Sequence, residues 1–337
     1  MKQKFLCRGY ALLVILMLVS CRKNSFDGQV PADEIHLSID RFEQDLFSAD
    51  PSQMDSLVTL LERRYGPFLE LFTQRIISIG NSSSPNFQQL FKAFITYYDN
   101  YKVFQRVQQV YPNLDRLEGK LTQAFRRFLY YFPDKRVPGI ITFVSGFNYS
   151  VVSDSNLLAI GLDKYLGADE EFYSRAGIYQ YLRMNMHPDK IPSDCMRLWT
   201  ETEFAYDDSV NNLLTNMVYG GKIMYIVKIM LPDDPDSLLW GFTGSQMEFC
   251  SANEQQIWTY LVEHKRLFQT DRFTIDKFTR EGPFTSEFSG ESPARAALWI
   301  GYKIVEKYMK KNRNLSLEAL MKEDDYQKIL TLSGYNP

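Results

Sequence analysis

Between Ser209 and Leu231 the chain reads SVNNLLTNMVYGGKIMYIVKIML. Leu213, Leu214, Met217, Val218, Gly221, Tyr225 and Ile229 trace one helical face. Ile223, Ile226, Val227 and Met230 widen it until the second half is apolar nearly all round. A helix of this kind belongs in a core, so the rest of the chain must supply elements to surround it. Gly220 and Gly221 each cost ~1 kcal/mol against alanine in a helix, and close packing of a neighbouring element is the expected return. Lys222 stands beside the buried face. Its stem is expected to pack and its amine to reach solvent or an acid, with a ligand contact as the sharper reading.

The surrounding elements read mostly as helices. Apolar residues at three-and-four spacing run through Ile39 to Ile77, Phe87 to about Val110 and about Leu114 to Tyr131,. The spacing returns at about Tyr173 to Met186, Asp194 to Phe204, Asn253 to Phe268, Pro293 to Lys311 and Ser316 to Leu332. Pro293 suits a first helical turn and Ser316 an N-cap. Two short β-rich runs, Ile140 to Val144 and Leu157 to Leu162, interrupt the pattern, with Gly, Asn, Ser and Asp between them,. The expected fold is mainly α with a small inserted β-sheet, an α+β arrangement.

The N-terminus carries a different signal. YALLVILMLVSC places an unbroken apolar run from Ala11 to Val19, about half the ~20 residues that a spanning helix needs,. Lys2, Lys4 and Arg8 precede it, and the first acidic residue is Asp27. Leu18-Val19-Ser20-Cys21 resembles the lipobox of bacterial lipoproteins, which implies that residues 1–20 are a removed signal peptide and that Cys21 carries the lipid. Residues 21–33 then read as the lipidated cysteine and a tether of at most ~40 Å, and 34–337 as one mostly helical domain. Removing the leader takes the net charge from −3 to −6, because three basic residues leave with it. No basic surface is implied, so nucleic acid is excluded as the expected partner. Cys195 and Cys250 remain as one potential disulfide in an oxidising compartment.

No catalytic motif stands out. His36, His187 and His264 are the only histidines, far apart, with no H-x-x-x-H pair. There is no C-x-x-C, no G-x-S-x-G, and no Walker or dinucleotide fingerprint. Glu201 and Glu203 are two apart, so on a helix they face different ways. The bland reading for both is a solvated or ion-paired helix. His187 precedes Pro188 and reads as a loop histidine.

Four long blocks carry a family likeness: YYFPDKRVPGIITFVSGFNYS, LLAIGLDKYLGADEEFY, MVYGGKIMYIVKIMLPDDPDSLLWGFT and SPARAALWIGYKIVEKYM. Together they resemble the gliding-motility lipoprotein B (GldB-like) family of the Bacteroidetes, over roughly Asp40 to Pro337. That resemblance implies an exported lipoprotein tied to the gliding machinery, whose components overlap with a protein-secretion system. A remoter likeness is to helical zinc peptidases of zincin-like fold. In them a helix with H-E-x-x-H precedes a Glu-Gly ligand pair. Here WTETEF (Trp199 to Phe204) has no histidine, and MVYGGK has Tyr219 or Gly220 where an acid would be needed. In SPAR, Ala294 replaces a usual glycine while Arg295 remains. The implied fold is a degenerate zincin-like helical domain without metal or other cofactor. The resulting expectation is a non-enzymatic envelope protein. It would be anchored in the membrane through Cys21, on the outer membrane facing the periplasm, and partnered by proteins of a motility or secretion complex. Glu201, Glu203, Lys222 and Arg295 form the candidate binding surface. An envelope hydrolase of unrecognised mechanism and a glycan-binding lipoprotein are the alternatives.

Overall fold

A computed structural model of the chain describes residues 35–154 and 156–337. Cys21 and the tether lie outside the described residues. The first element is a short strand, β1 (Ile39–Arg41), followed by α1 (Phe42–Phe47) and α2 (Met54–Leu71). Helices α3 (Phe87–Thr96), α4 (Tyr98–Val110) and α5 (Asp115–Tyr131) lead to strands β2 (Gly139–Phe143), β3 (Val151–Asp154) and β4 (Leu157–Gly161). After two short helices, α6 (Glu171–Arg175) and α7 (Gln180–Arg183), come α8 (Ile191–Glu203) and α9 (Leu213–Met230). The remainder is α10 (Asp236–Trp240), α11 (Gly244–Ala252), α12 (Glu254–Glu263), α13 (Arg272–Thr279), α14 (Ala296–Lys311), α15 (Leu317–Lys322) and α16 (Tyr326–Ser333). The fold is mainly α with one small mixed sheet, as the sequence pattern indicates.

The sheet order is β1-β2-β4-β3. β1 and β2 are parallel (Ile39↔Ile140), β2 and β4 are parallel (Ile140↔Leu158), and β3 returns antiparallel beside β4 (Val151↔Ile160). The runs IITF and LAI are buried at every position, which is why they read as continuous apolar stretches rather than alternating ones. At the end of β4, Asp163 is fully buried. Its Oδ2 accepts from the backbone N–H of Ser145 (3.0 Å) and Phe147 (2.7 Å). This fixes the loop after β2, where Gly146 and Phe147 both turn left-handed. Burial pushes the Asp163 carboxyl up to about 6, against the opposing pull of those two N–H groups.

α9 is buried on almost every side and packs mainly against α14. The two helices meet glycine to glycine. A Cβ on Gly221 would lie 2.3 Å from the carbonyl carbon of Gly301, and one on Gly301 would lie 1.8 Å from the oxygen of Met217. The backbone approach expected from Gly220-Gly221 is therefore present. The buried apolar side chains around this pair form one continuous cluster that reaches the sheet.

Several local expectations are corrected. Ile39–Arg41 is a strand rather than helix, because its edge finds β2 from a hundred residues away. The helix expected from Phe87 to Val110 breaks at Tyr97, whose ψ is 124°. β3 and the helices α10, α11 and α13 fall in stretches that the pattern left unassigned. Pro293 lies outside α14, which starts only after Arg295 at φ 62°. Ser316 does cap, with its side chain accepting from the N–H of Ala319, but α15 ends at Lys322 and α16 follows separately. Cys195 and Cys250 are both buried free thiols. Burial pushes Cys250 up to about 12 and raises Cys195 as well, so neither is primed as a nucleophile,.

Candidate functional site

A run of interacting polar side chains lies along α8. One side of this helix buries Cys195, Met196 and Trp199, and Thr202 meets Ser153 of β3 through a 2.6 Å hydroxyl–hydroxyl hydrogen bond. Lys190, Asp194, Arg197 and Glu201 recur at intervals of four, three and four, so they form one stripe of alternating charge. Lys190 Nζ is 3.4 Å from Asp194 Oδ1, and Arg197 Nη1 donates to Glu201 Oε1 at 3.2 Å. Tyr165 Oη donates to Asp194 Oδ2 at 2.9 Å, and Tyr111 Oη donates in turn to the carbonyl of Tyr165 at 2.6 Å. From the far end of the chain, Arg295 places Nη1 3.3 Å from Glu281 Oε1. Burial lowers the Arg295 pKa, the charge of Glu281 resists that, and the nearby Arg197 adds to it.

The cations of this network serve helix ends. Lys190 is buried, and its Nζ donates to the carbonyls of Leu238 (3.0 Å) and Leu239 (2.9 Å) and to Ser193 Oγ (2.9 Å). Arg295 Nη2 donates to the carbonyl of Trp240 at 2.8 Å. Those three carbonyls are the C-terminal end of α10, where the helix leaves acceptors unmatched and its dipole favours positive charge. Lys222 does the same for α15. Its Nζ donates to the carbonyls of Met321 (3.1 Å) and Glu323 (2.8 Å) and lies 5.2 Å from the centre of the Tyr326 ring. Burial lowers its pKa to about 8, against the charges of Asp324 and Glu323. The amine thus reaches backbone carbonyls, where solvent or an acid was expected.

The four residues singled out from sequence fall into three settings. Glu201 pairs with Arg197 and Arg295 with Glu281, and the two ion pairs feel each other through charge rather than contact. Glu203 points elsewhere, as its two-residue offset requires, with Oε2 3.0 Å from Lys135 Nζ. Lys135 also donates to the Glu203 carbonyl at 2.9 Å and sits 4.7 Å above the Phe204 ring, closing the end of α8. Lys222 is held inside the α9–α15 contact. Lys190, Asp194 and Arg197 were missed, although their spacing and alternating sign were visible in the sequence. Tyr165 and Glu281 carried no local signal.

Chemically the network is balanced: Lys190, Arg197 and Arg295 face Asp194, Glu201 and Glu281. Its open parts are Glu281 and Arg197, whose side chains are 53% and 43% exposed. A separate groove of about 330 Å³ runs between the α4–α5 turn and the start of α8, lined by Tyr111, Pro112, Leu117, Lys120, Pro188 and Pro192. Among the described residues no three His, Cys, Asp or Glu side chains converge as a metal-holding group. His187 is half-buried, with its pKa lowered by that burial, and His264 stacks on Tyr260 at 4.1 Å.

A family model described as gliding motility protein GldB matches residues 23–337. The chain belongs to the GldB family. The match runs from two residues beyond Cys21 to the C-terminus, so it takes in the sheet, the α8 network and the α9–α14 pair together. GldB is a lipoprotein family associated with gliding motility, and this places the chain with the cell envelope. No helix among the described residues is long and apolar enough to cross a membrane. No curated protein and no solved structure matches the chain significantly.

Proposed function

We propose that this chain is a lipid-anchored, non-catalytic component of the gliding machinery or of the secretion apparatus linked to it. It would be held through Cys21 on the outer membrane, facing the periplasm. The observation that carries the reading is the GldB match over residues 23–337. The leader and lipobox support the anchor, and Arg22 and Lys23 after the cysteine support the periplasmic face. The use of Lys190, Lys222 and Arg295 as helix-end donors supports a scaffold rather than a catalyst, because their hydrogen-bonding capacity is spent on backbone. A zincin-like outline that has lost its metal motif is part of this proposal, resting on the order of the sequence blocks. So is a single domain over 34–337, supported by the continuous core.

The test is co-purification from detergent-solubilised envelopes. Motility or secretion proteins should remain with the wild-type chain. Radiolabelled palmitate should enter the wild type and fail to enter Cys21→Ala. Retention on polysaccharide without any protein partner would instead favour a glycan-binding lipoprotein and overturn the reading.

A further inference from the structure

The loop that joins β2 to β3 turns on two consecutive left-handed residues, Gly146 (φ 73°) and Phe147 (φ 69°). Glycine takes that conformation freely, whereas phenylalanine takes it only where its surroundings hold it. Three side chains hold it here. Asp163 accepts the N–H of Ser145 and of Phe147 through Oδ2. The Phe147 ring meets Tyr173 edge to face at 5.3 Å, and Tyr173 Oη donates to the Asp163 carbonyl at 2.8 Å. Asn148 Nδ2 donates to the carbonyls of Ser145 (3.0 Å) and Ile76 (3.1 Å), which ties the loop to the helical turn after α2.

Asp163 is an uneven clamp. Both donors fall on Oδ2, while Oδ1 is buried with no hydrogen-bond partner among the described residues. The residue has no exposed surface. An ionised carboxyl there is a charge taken out of water with one oxygen unmatched. A proton on Oδ1 removes the charge and leaves Oδ2 to its two N–H groups.

The neighbours leave that proton to Asp163. On its own 3-10 turn (Leu162–Tyr165), Lys164 supplies an opposing charge, and Tyr165 donates to Asp194. Strand β2 has no titratable side chain. Tyr111 after α4 and Tyr173 on α6 are phenols that burial pushes up, so both are neutral here. On α4, Lys102 donates to Gln105 and Arg106 pairs with Glu170. The other buried carboxyl near β2 is Glu43, which accepts from Thr142 Oγ1 at 2.7 Å and pairs with Arg41 at 2.8 Å.

Proton binding and loop closure are therefore linked. With the loop closed, burial holds the Asp163 carboxyl at about 6, and with the loop open it meets water and returns toward the ordinary 3.8. The closed form binds the proton more tightly. Acid thus favours closure, and that advantage is lost as the pH rises through 6.

We propose that the loop from Ser145 to Tyr149 is a pH-sensitive latch, closed on a protonated Asp163 in mild acid and opening more often once that carboxyl ionises. Opening frees Asn148 from Ile76 and moves Tyr149, which is 45% exposed beside the carboxyl end of β4. The test is hydrogen–deuterium exchange of the full chain in detergent from pH 5 to pH 8, with rates corrected for the intrinsic pH dependence of amide exchange. Opening of the Ser145 and Phe147 amides rises about tenfold from pH 5 to pH 7 and then levels off to pH 8. In Asp163→Asn, whose amide oxygen still accepts the two N–H groups, the profile is flat. In Glu43→Gln the rise persists. A level profile in the wild type overturns the proposal, as does an unchanged rise in Asp163→Asn or a rise abolished by Glu43→Gln. A rise that continues undiminished from pH 7 to pH 8 also overturns it, because a carboxyl is by then fully ionised. Should either variant fail to fold, the wild-type profile decides alone, by its rise and its plateau.

Discussion

At the scale of single residues, the buried lysines show how a fold finds work for a charge that it encloses. Lys222 is 2% exposed, yet its amine is matched by two carbonyls at the end of α15 and by the face of Tyr326. Burial leaves its folded pKa at about 8, below the ordinary lysine value of 10.5. The unfolded chain therefore binds more protons between those two values. The stabilising contribution is complete above pH 10.5 and is lost as the pH falls through 8, an effect of about 3 kcal/mol at most. We expect the difference in unfolding free energy between wild type and Lys222→Met to move in favour of the wild type as the pH rises from 8 to 10. Urea titrations at each pH would measure it. A difference that stays flat across that window would mean that the amine is not enclosed as described. None of this was legible locally, because the carbonyls that meet Lys222 lie about a hundred residues further along the chain.

At the scale of elements, the α9–α14 contact determines how closely two helices can approach. Gly301→Ala would drive a methyl group into the backbone of Met217, where no side chain can rotate away. Overpacking of this kind costs about 3 kcal/mol or more. Gly220→Ala is a milder change, because its Cβ meets the side chain of Leu298, nearest at Cδ2 2.9 Å, and leucine can shift. The gain of up to ~1 kcal/mol in helix propensity offsets part of that strain. Thermal unfolding of the two variants should therefore separate clearly, with Gly301→Ala melting far lower. Equal losses would show that the helices do not meet backbone to backbone. The need for close approach was readable from Gly220-Gly221. The partner was not, since Gly301 sits in a helix with an ordinary amphipathic pattern.

At the scale of the whole molecule, one continuous core joins the N-terminal helices, the sheet and the α9–α14 pair. Trp199 reports on the packing of α8 against α5, where it meets Phe125 at 6.3 Å between ring centroids, and Trp299 reports on α14. If residues 34–337 act as one unit, tryptophan fluorescence and far-ultraviolet circular dichroism should follow the same urea transition. Two separated transitions would divide the chain into independent parts and remove the single-domain reading.

The sequence by itself determined the helical class, the two central strands and the burial of α9. Each of these rests on apolar periodicity or on an unbroken apolar run, which are properties of neighbouring residues. It also carried the family likeness, because GldB-like blocks such as LLAIGLDKYLGADEEFY hold their order along the chain. Only the tertiary structure decided where β1 belongs, since three residues become a strand when a distant edge pairs with them. It also decided what Glu201, Glu203, Lys222 and Arg295 do. A charged side chain reads the same in sequence whether it faces water, a partner or the open end of a helix. In the folded chain the carbonyls of α10 and α15 claim Arg295 and Lys222, Lys135 claims Glu203, and Arg197 holds Glu201. The physical reason is that periodicity encodes which face is buried, whereas the partner of a buried charge is set by contacts between residues far apart in the chain.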